Sequence, residues 1–301
     1  MKELLGIKQL SKEQIIEVLD LAHDMKERVL NGGEKCNDLA GKTVSLLFYE
    51  NSTRTKTSFS LAGSYTGATV KSLDVSTSSV KKGESLIDTG LTMDALQSDI
   101  VVVRHQSSGI PLLLSKGIAS AVINAGDGTN EHPTQALLDF MTMREHFGDF
   151  KGLRVAIIGD IKHSRVARSN LWGLKKLGAD VVLCAPKTMM ASELSTHCAV
   201  TSNPSVAVSG ADVVMCLRIQ LERQRHGLFP SLGEYHSVWG VDNELLSLAS
   251  PSAIVMHPGP VNRDVEIASN VVDGGKSVIV DQVTNGLAVR MAVLSMIAKE
   301  K

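Results

Sequence analysis

Apolar and polar residues alternate along the chain in patterns that first predict a helix. Ser11 and Gln14 have the spacing of a capping box, in which each side chain satisfies a backbone N–H at the start of a helix. Leu10 and Ile15 flank them as a hydrophobic staple, and further apolar residues continue at helical spacing. A helix is therefore predicted to open the fold, before the break at Asn31-Gly32-Gly33.

Beyond that break, short apolar runs alternate with polar loops and helical patterns. The first series of runs comprises residues 44–49, 68–73, 100–103 and 121–124. The second series comprises residues 154–158, 180–184, 212–217, 253–256 and 277–280. Strands that alternate with helices are typical of parallel sheets with helices on their faces. The sequence therefore predicts an α/β fold with two lobes, each a parallel sheet flanked by helices.

Two helical patterns lie where the predicted lobes join. Residues 134–145 separate the two series, and residues 286–301 form a closing helix, so the lobes are predicted to be linked by bridging helices. The first domain is predicted to comprise residues 1–130 plus 288–301, and the second residues 131–287. A chain of 301 residues is long enough to form two such cores.

Composition narrows the function classes. The net charge of −1 indicates neither a nucleic-acid nor a membrane partner, so an anion site requires a local cluster of basic residues. No apolar run reaches the roughly 18 residues of a membrane helix, and residues 1–10 lack the layout of a signal peptide, which favours the cytoplasm. The four cysteines form no C-x-x-C pair and are expected to be reduced. No metal site is predicted, because no H-E-x-x-H or similar spacing occurs, and no cofactor is predicted either.

Anion-binding side chains follow the predicted strands, at the edge where open α/β sheets bind ligands. The first run leads into residues 50–58, where hydroxyls, an arginine and a helix N-terminus can bind a phosphate. A Ser/Thr helix cap with a solvated arginine is the simpler alternative for this segment. The segment does not form a Walker loop, which argues against nucleotide hydrolysis.

Similar side chains follow five other runs. Arg104 and His105 end the third run, and residues 126–135 after the fourth run place His132 and Gln135 beside a predicted helix start at Pro133. In the second lobe, residues 159–165 provide Arg165 for a carboxylate but do not form the G-x-G-x-x-G of a dinucleotide site. The last two sets are Arg218-Ile219-Gln220 and His257-Pro258-Gly259-Pro260.

Three of these segments together resemble the carbamoyltransferase family. They are Ser52-Thr53-Arg54-Thr55, His132-Pro133-Thr134-Gln135 and His257-Pro258-x-Pro260, which occur in that order over nearly the whole chain. The resemblance extends to residues 78–84, Arg104, Arg165 and Arg218-x-Gln220. It implies transfer of the carbamoyl group of carbamoyl phosphate to an amino acid, without metal or cofactor.

The resemblance also implies a role for each site residue. Carbamoyl phosphate is expected to be bound by Ser52, Thr53, Arg54, Thr55, Ser78, Arg104, His132, Gln135, Gly259 and Pro260. The acceptor is expected to be bound by Lys82, Arg165, Arg218 and Gln220. Arg54, Thr55, Lys82, Arg104, His132 and Gln135 are the expected catalytic residues. Ser78 and Lys82 are expected to enter a neighbouring chain's site, which makes a homotrimer with shared active sites the expected assembly.

The two main groups of the family differ in the amino acid that accepts the carbamoyl group. Aspartate brings two carboxylates, which suit Arg165, Arg218 and Gln220, whereas the ammonium of ornithine would require acidic partners. The chain also lacks the His-Cys-Leu-Pro and Ser-Met-Gly segments of ornithine enzymes. Aspartate, and with it an early step of pyrimidine biosynthesis, is therefore expected, with ornithine as the alternative. A non-catalytic binder of amino acids or anions is the other class considered, and regulatory chains or a dihydroorotase as further partners remain open.

Overall fold

The computed structural model describes residues 1–74, 84–219 and 228–300. The chain splits into two compact units, one made of Met1–Met141 with Thr284–Lys301 and the other of Thr142–Val283. The divisions fall at 141/142 and 283/284, whereas those predicted from the sequence fall at 130/131 and 287/288. Both observed divisions lie inside helices that run from one unit into the other, so no loop marks the boundary.

Helices and strands alternate through both units. The elements from the N-terminus to the first division are α1 (Lys12–Met25), β1 (Thr43–Phe48), α2 (Thr53–Tyr65), β2 (Thr69–Asp74), α3 (Leu86–Ala95), β3 (Ile100–His105), α4 (Ile110–Gly117), β4 (Ala121–Asp127) and α5 (Pro133–Phe147). Those that follow are β5 (Arg154–Ile158), α6 (Arg165–Leu177), β6 (Asp180–Cys184), β7 (Ala199–Thr201), α7 (Pro204–Val208), β8 (Val213–Cys216), α8 (Leu232–Trp239), α9 (Asn243–Leu246), β9 (Ile254–Met256), α10 (Ser269–Val272) and α11 (Ile279–Ala298). A π-helical segment at Lys26–Asn31 and short 3₁₀ segments at Lys187–Met189 and Ser192–Thr196 complete the described elements.

The first unit contains a four-stranded parallel sheet in the order β2-β1-β3-β4. All seven residues of β4 are buried, and the central residues of β1 are buried as well. Strands with no exposed face are typical of parallel sheets that have helices on both sides. The predicted capping box is confirmed, because the Ser11 hydroxyl accepts from the Gln14 N–H and the Gln14 side chain accepts from the Ser11 N–H.

The second unit contains a five-stranded parallel sheet in the order β7-β6-β5-β8-β9. Its predicted strands are confirmed at β5, β6, β8 and β9, whereas the short edge strand β7 was not predicted. Cys184 and Cys216 lie buried at the ends of β6 and β8, and all four cysteines are free. The predicted fold class, two parallel sheets flanked by helices, is confirmed.

The strand predicted at residues 277–280 is wrong. Ser277 forms one isolated parallel bridge with Val255, and α11 begins two residues later at Ile279. The run of β-branched residues favours a strand by local propensity. However, Val280 is 77% exposed while Gln282 is buried. Residues two positions apart share one face of a strand but lie on different faces of a helix, so this burial pattern is that of a helix.

No helix within the described ranges is long and apolar enough to cross a membrane.

Candidate active site

Ser52 to Thr55 form the start of α2, directly beyond the carboxyl end of β1. Ser52 occupies the N-cap position, but its side chain forms no capping hydrogen bond. The Ser52 hydroxyl therefore does not act as a simple helix cap, which was the alternative left open by the sequence. The N–H groups in the first turn of a helix have no acceptor within the helix, and the helix dipole is positive there. Thr55 is buried and Arg54 is exposed, so the segment presents hydroxyl, N–H and guanidinium donors suited to a phosphate.

Arg104 lies at the carboxyl end of the neighbouring strand β3. Its Nη1 donates to the carbonyl oxygen of Ala125 at 3.2 Å, and its Nε lies 3.5 Å from Glu50 Oε2. The two charged side chains are only 12% and 18% exposed, so solvent screens the pair less than at the surface. Glu50 follows β1 and was not among the predicted site residues. Its carboxylate holds the guanidinium of Arg104 at the sheet edge.

His132 and Gln135 form the start of α5, after β4. The carbonyl oxygen of His132 accepts from the N–H groups of Gln135 and Ala136, so its backbone begins the helix. Both side chains are largely buried, at 4% and 8% exposure. The Gln135 Nε2 donates to Asp139 Oδ1 at 3.0 Å, one helical turn along α5.

The loop before His132 is held by buried carboxylates that were not among the predicted site residues. Asp127 accepts from Gly109 N at 2.7 Å, from Asn124 Nδ2 at 2.8 Å and from Glu131 N at 3.1 Å. Glu131 itself accepts from the backbone N–H of Ile7 at 2.7 Å. Charge-assisted bonds of this kind are stronger than neutral ones, so the approach to His132 is held in one conformation.

The register of the sheet brings these three segments together. Phe48 at the end of β1 pairs with Arg104 on β3, and His105 pairs with Asp127 at the end of β4. The residues that follow these strands therefore lie at one edge of one sheet, where α/β proteins bind ligands. The predicted donors that gather there are Ser52, Thr53, Arg54, Thr55, Arg104, His132 and Gln135.

The second unit places Arg165 at the start of α6, beyond β5. Ser164 caps this helix by accepting from the Ala167 N–H at 3.1 Å, and Arg165 is the first helical residue. Arg165 is 5% exposed, and the neighbouring Asp160 is 4% exposed and lies 2.9 Å from His163 Nδ1. A buried guanidinium at a sheet edge is suited to a carboxylate ligand.

Arg218 and the His257 segment follow β8 and β9, which are neighbours in the same sheet. Buried Glu266 joins the two segments. Its Oε1 accepts from Asn262 N at 2.6 Å and from His257 Nε2 at 3.0 Å, while its Oε2 accepts from Asn262 Nδ2 at 3.2 Å and from Ile219 N at 3.5 Å. Asn262 Nδ2 also donates to the Ile219 carbonyl oxygen at 3.0 Å. The residue after Arg218 is thus tied to the loop that contains Gly259 and Pro260.

Glycines allow the close approaches at this edge. Gly259 has a φ of +64°, a conformation that strains other residues, and its N–H donates to His257 Nδ1 at 2.8 Å. Gly159 at the end of β5 also has positive φ, and a Cβ there would lie 2.8 Å from Leu217 Cβ. Arg263 is not part of this edge cluster, because it forms a two-bond ion pair with exposed Asp273 at 2.7 and 2.8 Å.

Three predicted site residues, Ser78, Lys82 and Gln220, lie outside the described residues. Among the residues that are described, no group of three or more His, Cys, Asp or Glu side chains is placed to hold a metal ion. Of the functional carboxylates that were missed, Asp139 had a usable signal, because it lies four residues after Gln135 and so on the same helix face. Glu266 had no such signal in the sequence, because most of its hydrogen-bond partners lie in other segments.

Models of two protein-family domains match the chain. The carbamoyl-phosphate-binding domain of aspartate/ornithine carbamoyltransferases matches residues 2–145, and the Asp/Orn-binding domain of that family matches residues 151–297. The two matches cover most of both units.

Relatives and solved structures agree with these matches. The aspartate carbamoyltransferase catalytic subunit of Caldanaerobacter subterraneus subsp. tengcongensis is 54% identical over 301 residues, covering 100% of this chain and 99% of the relative. The subunit of the same name from Acetivibrio thermocellus is 53% identical over 299 residues, covering 99% of this chain and 96% of the relative. Aspartate transcarbamoylase from Trypanosoma cruzi, solved in complex with carbamoyl aspartate and phosphate, superposes with a TM-score of 0.88 at 30% identity, covering 98% of this chain and 96% of that chain. The chain therefore belongs to the aspartate/ornithine carbamoyltransferase family.

Proposed function

We propose that this chain transfers the carbamoyl group of carbamoyl phosphate to the amino group of L-aspartate, giving N-carbamoyl-L-aspartate and phosphate. The observation that carries the proposal is the edge of the first sheet, where the start of α2, Arg104, His132 and Gln135 follow adjacent strands. This cluster has donors for a phosphate and for a carbonyl oxygen.

The comparisons support aspartate rather than ornithine as the acceptor. The two relatives described above have names that specify aspartate carbamoyltransferase. The Trypanosoma cruzi enzyme was also solved with N-(phosphonacetyl)-L-aspartic acid, and that structure superposes with a TM-score of 0.89 at 30% identity. Arginines at the edge of the second sheet agree with a dicarboxylic acceptor.

In this proposal the first unit binds carbamoyl phosphate. Ser52, Thr53, Arg54 and Thr55 hold the phosphate, and Arg54 also stabilises the charge that grows on the bridging oxygen as the C–O bond breaks. Thr55, Arg104 and His132 donate to the carbonyl oxygen, where negative charge develops in the tetrahedral intermediate. Gln135 faces the carbamoyl nitrogen.

The second unit binds the acceptor. Arg165, Arg218 and Gln220 bind the two carboxylates of aspartate, together with Lys82. Gly259 and Pro260 offer backbone carbonyl oxygens to the carbamoyl group. A bidentate guanidinium–carboxylate pair fixes the orientation of the acceptor as well as its affinity, and orientation contributes strongly to a reaction between two bound substrates.

The reaction requires no covalent bond to the protein. The neutral amine of aspartate attacks the carbamoyl carbon, the tetrahedral intermediate collapses, and the bond to the phosphate oxygen breaks. The departing phosphate can accept the proton that the amine loses, so His132 acts as a hydrogen-bond donor rather than as a base.

The proposal includes an assembly and a location. We infer a homotrimer in which Ser78 and Lys82 of one chain complete the site of the next, as in the family that the chain resembles. We also infer a cytoplasmic location, which agrees with the four free cysteines, because unpaired thiols are usual in reducing compartments.

An acceptor assay tests the activity. The purified chain is incubated with carbamoyl phosphate and either L-aspartate or L-ornithine, and carbamoyl aspartate, citrulline and phosphate are quantified. Carbamoyl aspartate and phosphate in equal amounts are expected. Citrulline as the main product would overturn the choice of acceptor, and phosphate release without either carbamoylated product would overturn transfer itself. A crystal structure with N-(phosphonacetyl)-L-aspartic acid in which Arg54 and Arg218 point into separate cavities would contradict the roles proposed for these two arginines.

A further inference from the structure

Arg290 is a buried charged residue of α11 that the proposed mechanism does not use. It is 4% exposed, and its Nη1 donates to Ser58 Oγ at 3.1 Å and to the Gly286 carbonyl oxygen at 2.8 Å. Its guanidinium also lies over the Phe59 ring, 5.2 Å from the centroid. Ser58 and Phe59 belong to α2, the helix whose first turn forms the proposed phosphate site. Arg290 therefore contacts that helix from inside the first unit.

Arg290 also lies near α5 and interacts with it electrostatically. A Cβ added at Gly286 would lie 2.6 Å from Arg290 Nη1 and 3.0 Å from Cδ2 of Leu138, the residue before Asp139. Burial lowers the pKa of Arg290 to about 10, while the negative charge of Asp139 acts in the opposite direction and favours the charged guanidinium. Asp139 is fully buried, at 0% exposure. A buried carboxylate stays ionised only when a cation or hydrogen-bond donors compensate it. Arg290 supplies the cation, and Gln135 supplies a donor.

The bond between Gln135 and Asp139 determines which end of the Gln135 amide is available to a ligand. An ionised carboxylate can only accept hydrogen bonds, so it selects the NH₂ end of the amide, and the structure places Nε2 3.0 Å from Asp139 Oδ1. The carbonyl oxygen Oε1 is then the end available to a ligand. An amide oxygen accepts from an NH₂ group, such as that of a carbamoyl group, but gains nothing from a methyl group in the same place.

We propose that Arg290 and Asp139 are positioning residues that fix the Gln135 side-chain amide with its oxygen toward the ligand, so that the site selects the NH₂ group of carbamoyl phosphate. The inference rests on the proposed function and adds to it the source of the donor specificity. Neither residue touches the substrate in this proposal. Both act through Gln135. Arg290 also links this group of residues to α2 through its hydrogen bond to Ser58.

Ligands that differ only at the group facing Gln135 test the proposal. Acetyl phosphate carries a methyl group where carbamoyl phosphate carries its NH₂, and inorganic phosphate lacks the acyl group. The dissociation constants of all three are measured by titration calorimetry without acceptor. The wild-type chain is expected to prefer carbamoyl phosphate over acetyl phosphate by about tenfold or more, the value of one buried hydrogen bond.

The main variant is Asp139→Asn. Its amide has one oxygen, which the nearby positive charge of Arg290 attracts. Its NH₂ group then faces Gln135 and favours the reversed amide. The preference for carbamoyl over acetyl phosphate is expected to fall to about twofold or less, while the affinity for inorganic phosphate stays within about twofold. Asp94→Asn is the matched control. Asp94 accepts from Ala119 N and Ser120 N, before the start of β4 and so at the opposite edge of the same sheet.

A second pair of variants keeps the test decisive if Asp139→Asn does not fold. Arg290→Lys retains a cation beside Asp139, whereas Arg290→Met removes it. The lysine variant is expected to retain most of the preference and the methionine variant to lose it.

Two results from the variants would overturn the inference alone. One is a wild-type preference that persists in Asp139→Asn and in Arg290→Met, and the other is an equal loss of affinity for all three ligands, as a purely structural role would give. A wild-type chain that does not distinguish carbamoyl from acetyl phosphate would overturn this inference, and failure of the same chain to bind carbamoyl phosphate at all would overturn the proposed function as well.

Discussion

Replacing Glu266 by glutamine is expected to destabilise the second unit. The carboxylate is 2% exposed and accepts from two donors at each of its oxygens. The tautomer of His257 is fixed by the Gly259 N–H, which donates to Nδ1, so the proton of the ring lies on Nε2 and points at Glu266. All four partners are therefore donors. An amide has only one acceptor oxygen, so in the variant one side of the new side chain must face two donors with its own NH₂ group.

The magnitude follows from the bond lengths. The less costly orientation keeps the bonds at 2.6 and 3.0 Å and loses those at 3.2 and 3.5 Å, from Asn262 Nδ2 and Ile219 N. Asn262 Nδ2 retains its bond to the Ile219 carbonyl oxygen. Losing a charge-assisted bond and leaving a buried donor unsatisfied each cost about 1–3 kcal/mol, so we expect a loss of about 2–4 kcal/mol in total. That loss corresponds to a fall of about 5–15 °C in the midpoint of thermal unfolding.

Differential scanning calorimetry of the whole chain measures this effect. The matched control is Glu244→Gln on α9, because Glu244 is an exposed glutamate of the same unit and its change is expected to stay within about 0.5 kcal/mol. A Glu266→Gln chain that unfolds within about 1 °C of the control would refute the assignment of Glu266 as the group that joins the two segments. The variant is also expected to raise the KM for aspartate, since Arg218 lies next to Ile219.

Four further outcomes are expected. Arg54→Ala should lower kcat by about 100-fold to 1000-fold without a change in the thermal midpoint, because it removes a donor to developing charge, and near-normal turnover would reject that role. Arg218→Ala should mainly raise the KM for aspartate in steady-state kinetics, and an unchanged KM would remove this residue from the acceptor site. Mixing inactive Arg54→Ala and Lys82→Ala chains should restore part of the activity through hybrid sites, and verified mixed trimers without recovery would argue against sharing. Burial raises the pKa of Cys184 to about 12 and raises that of Cys216 as well, which reduces the reactive thiolate at pH 8, so peptide mass spectrometry should find both unlabelled by iodoacetamide until urea unfolds the chain.

The sequence was sufficient to predict the features that depend on neighbouring residues. The capping box at Ser11 was predictable because its partners are three residues apart. The strands were predictable because buried parallel strands consist of short apolar runs. The polar segments at the strand ends were predictable because they directly follow those runs in the sequence. Residues 277–280 were the exception, since their β-branched side chains favour a strand locally while the fold uses them to begin α11.

The carboxylates and the arginine that support the site were not predictable in the same way. Glu266 accepts from residues as far as 47 positions away, and Arg290 contacts Ser58 across 232 positions. A charged residue in a helix or loop is usually solvated, so nothing in the local pattern marks these side chains as buried.

The sequence by itself thus determined the alternation of strands and helices and the types of polar side chain that follow each strand, because both depend on the spacing of nearby residues. Only the tertiary structure decided the strand orders β2-β1-β3-β4 and β7-β6-β5-β8-β9, and with them which strand ends are neighbours. It also decided that Gln135 binds Asp139 and that the charge of Asp139 acts on Arg290 inside the first unit. These arrangements depend on which distant segments pack together, and packing is governed by the shape and burial of whole surfaces rather than by local periodicity.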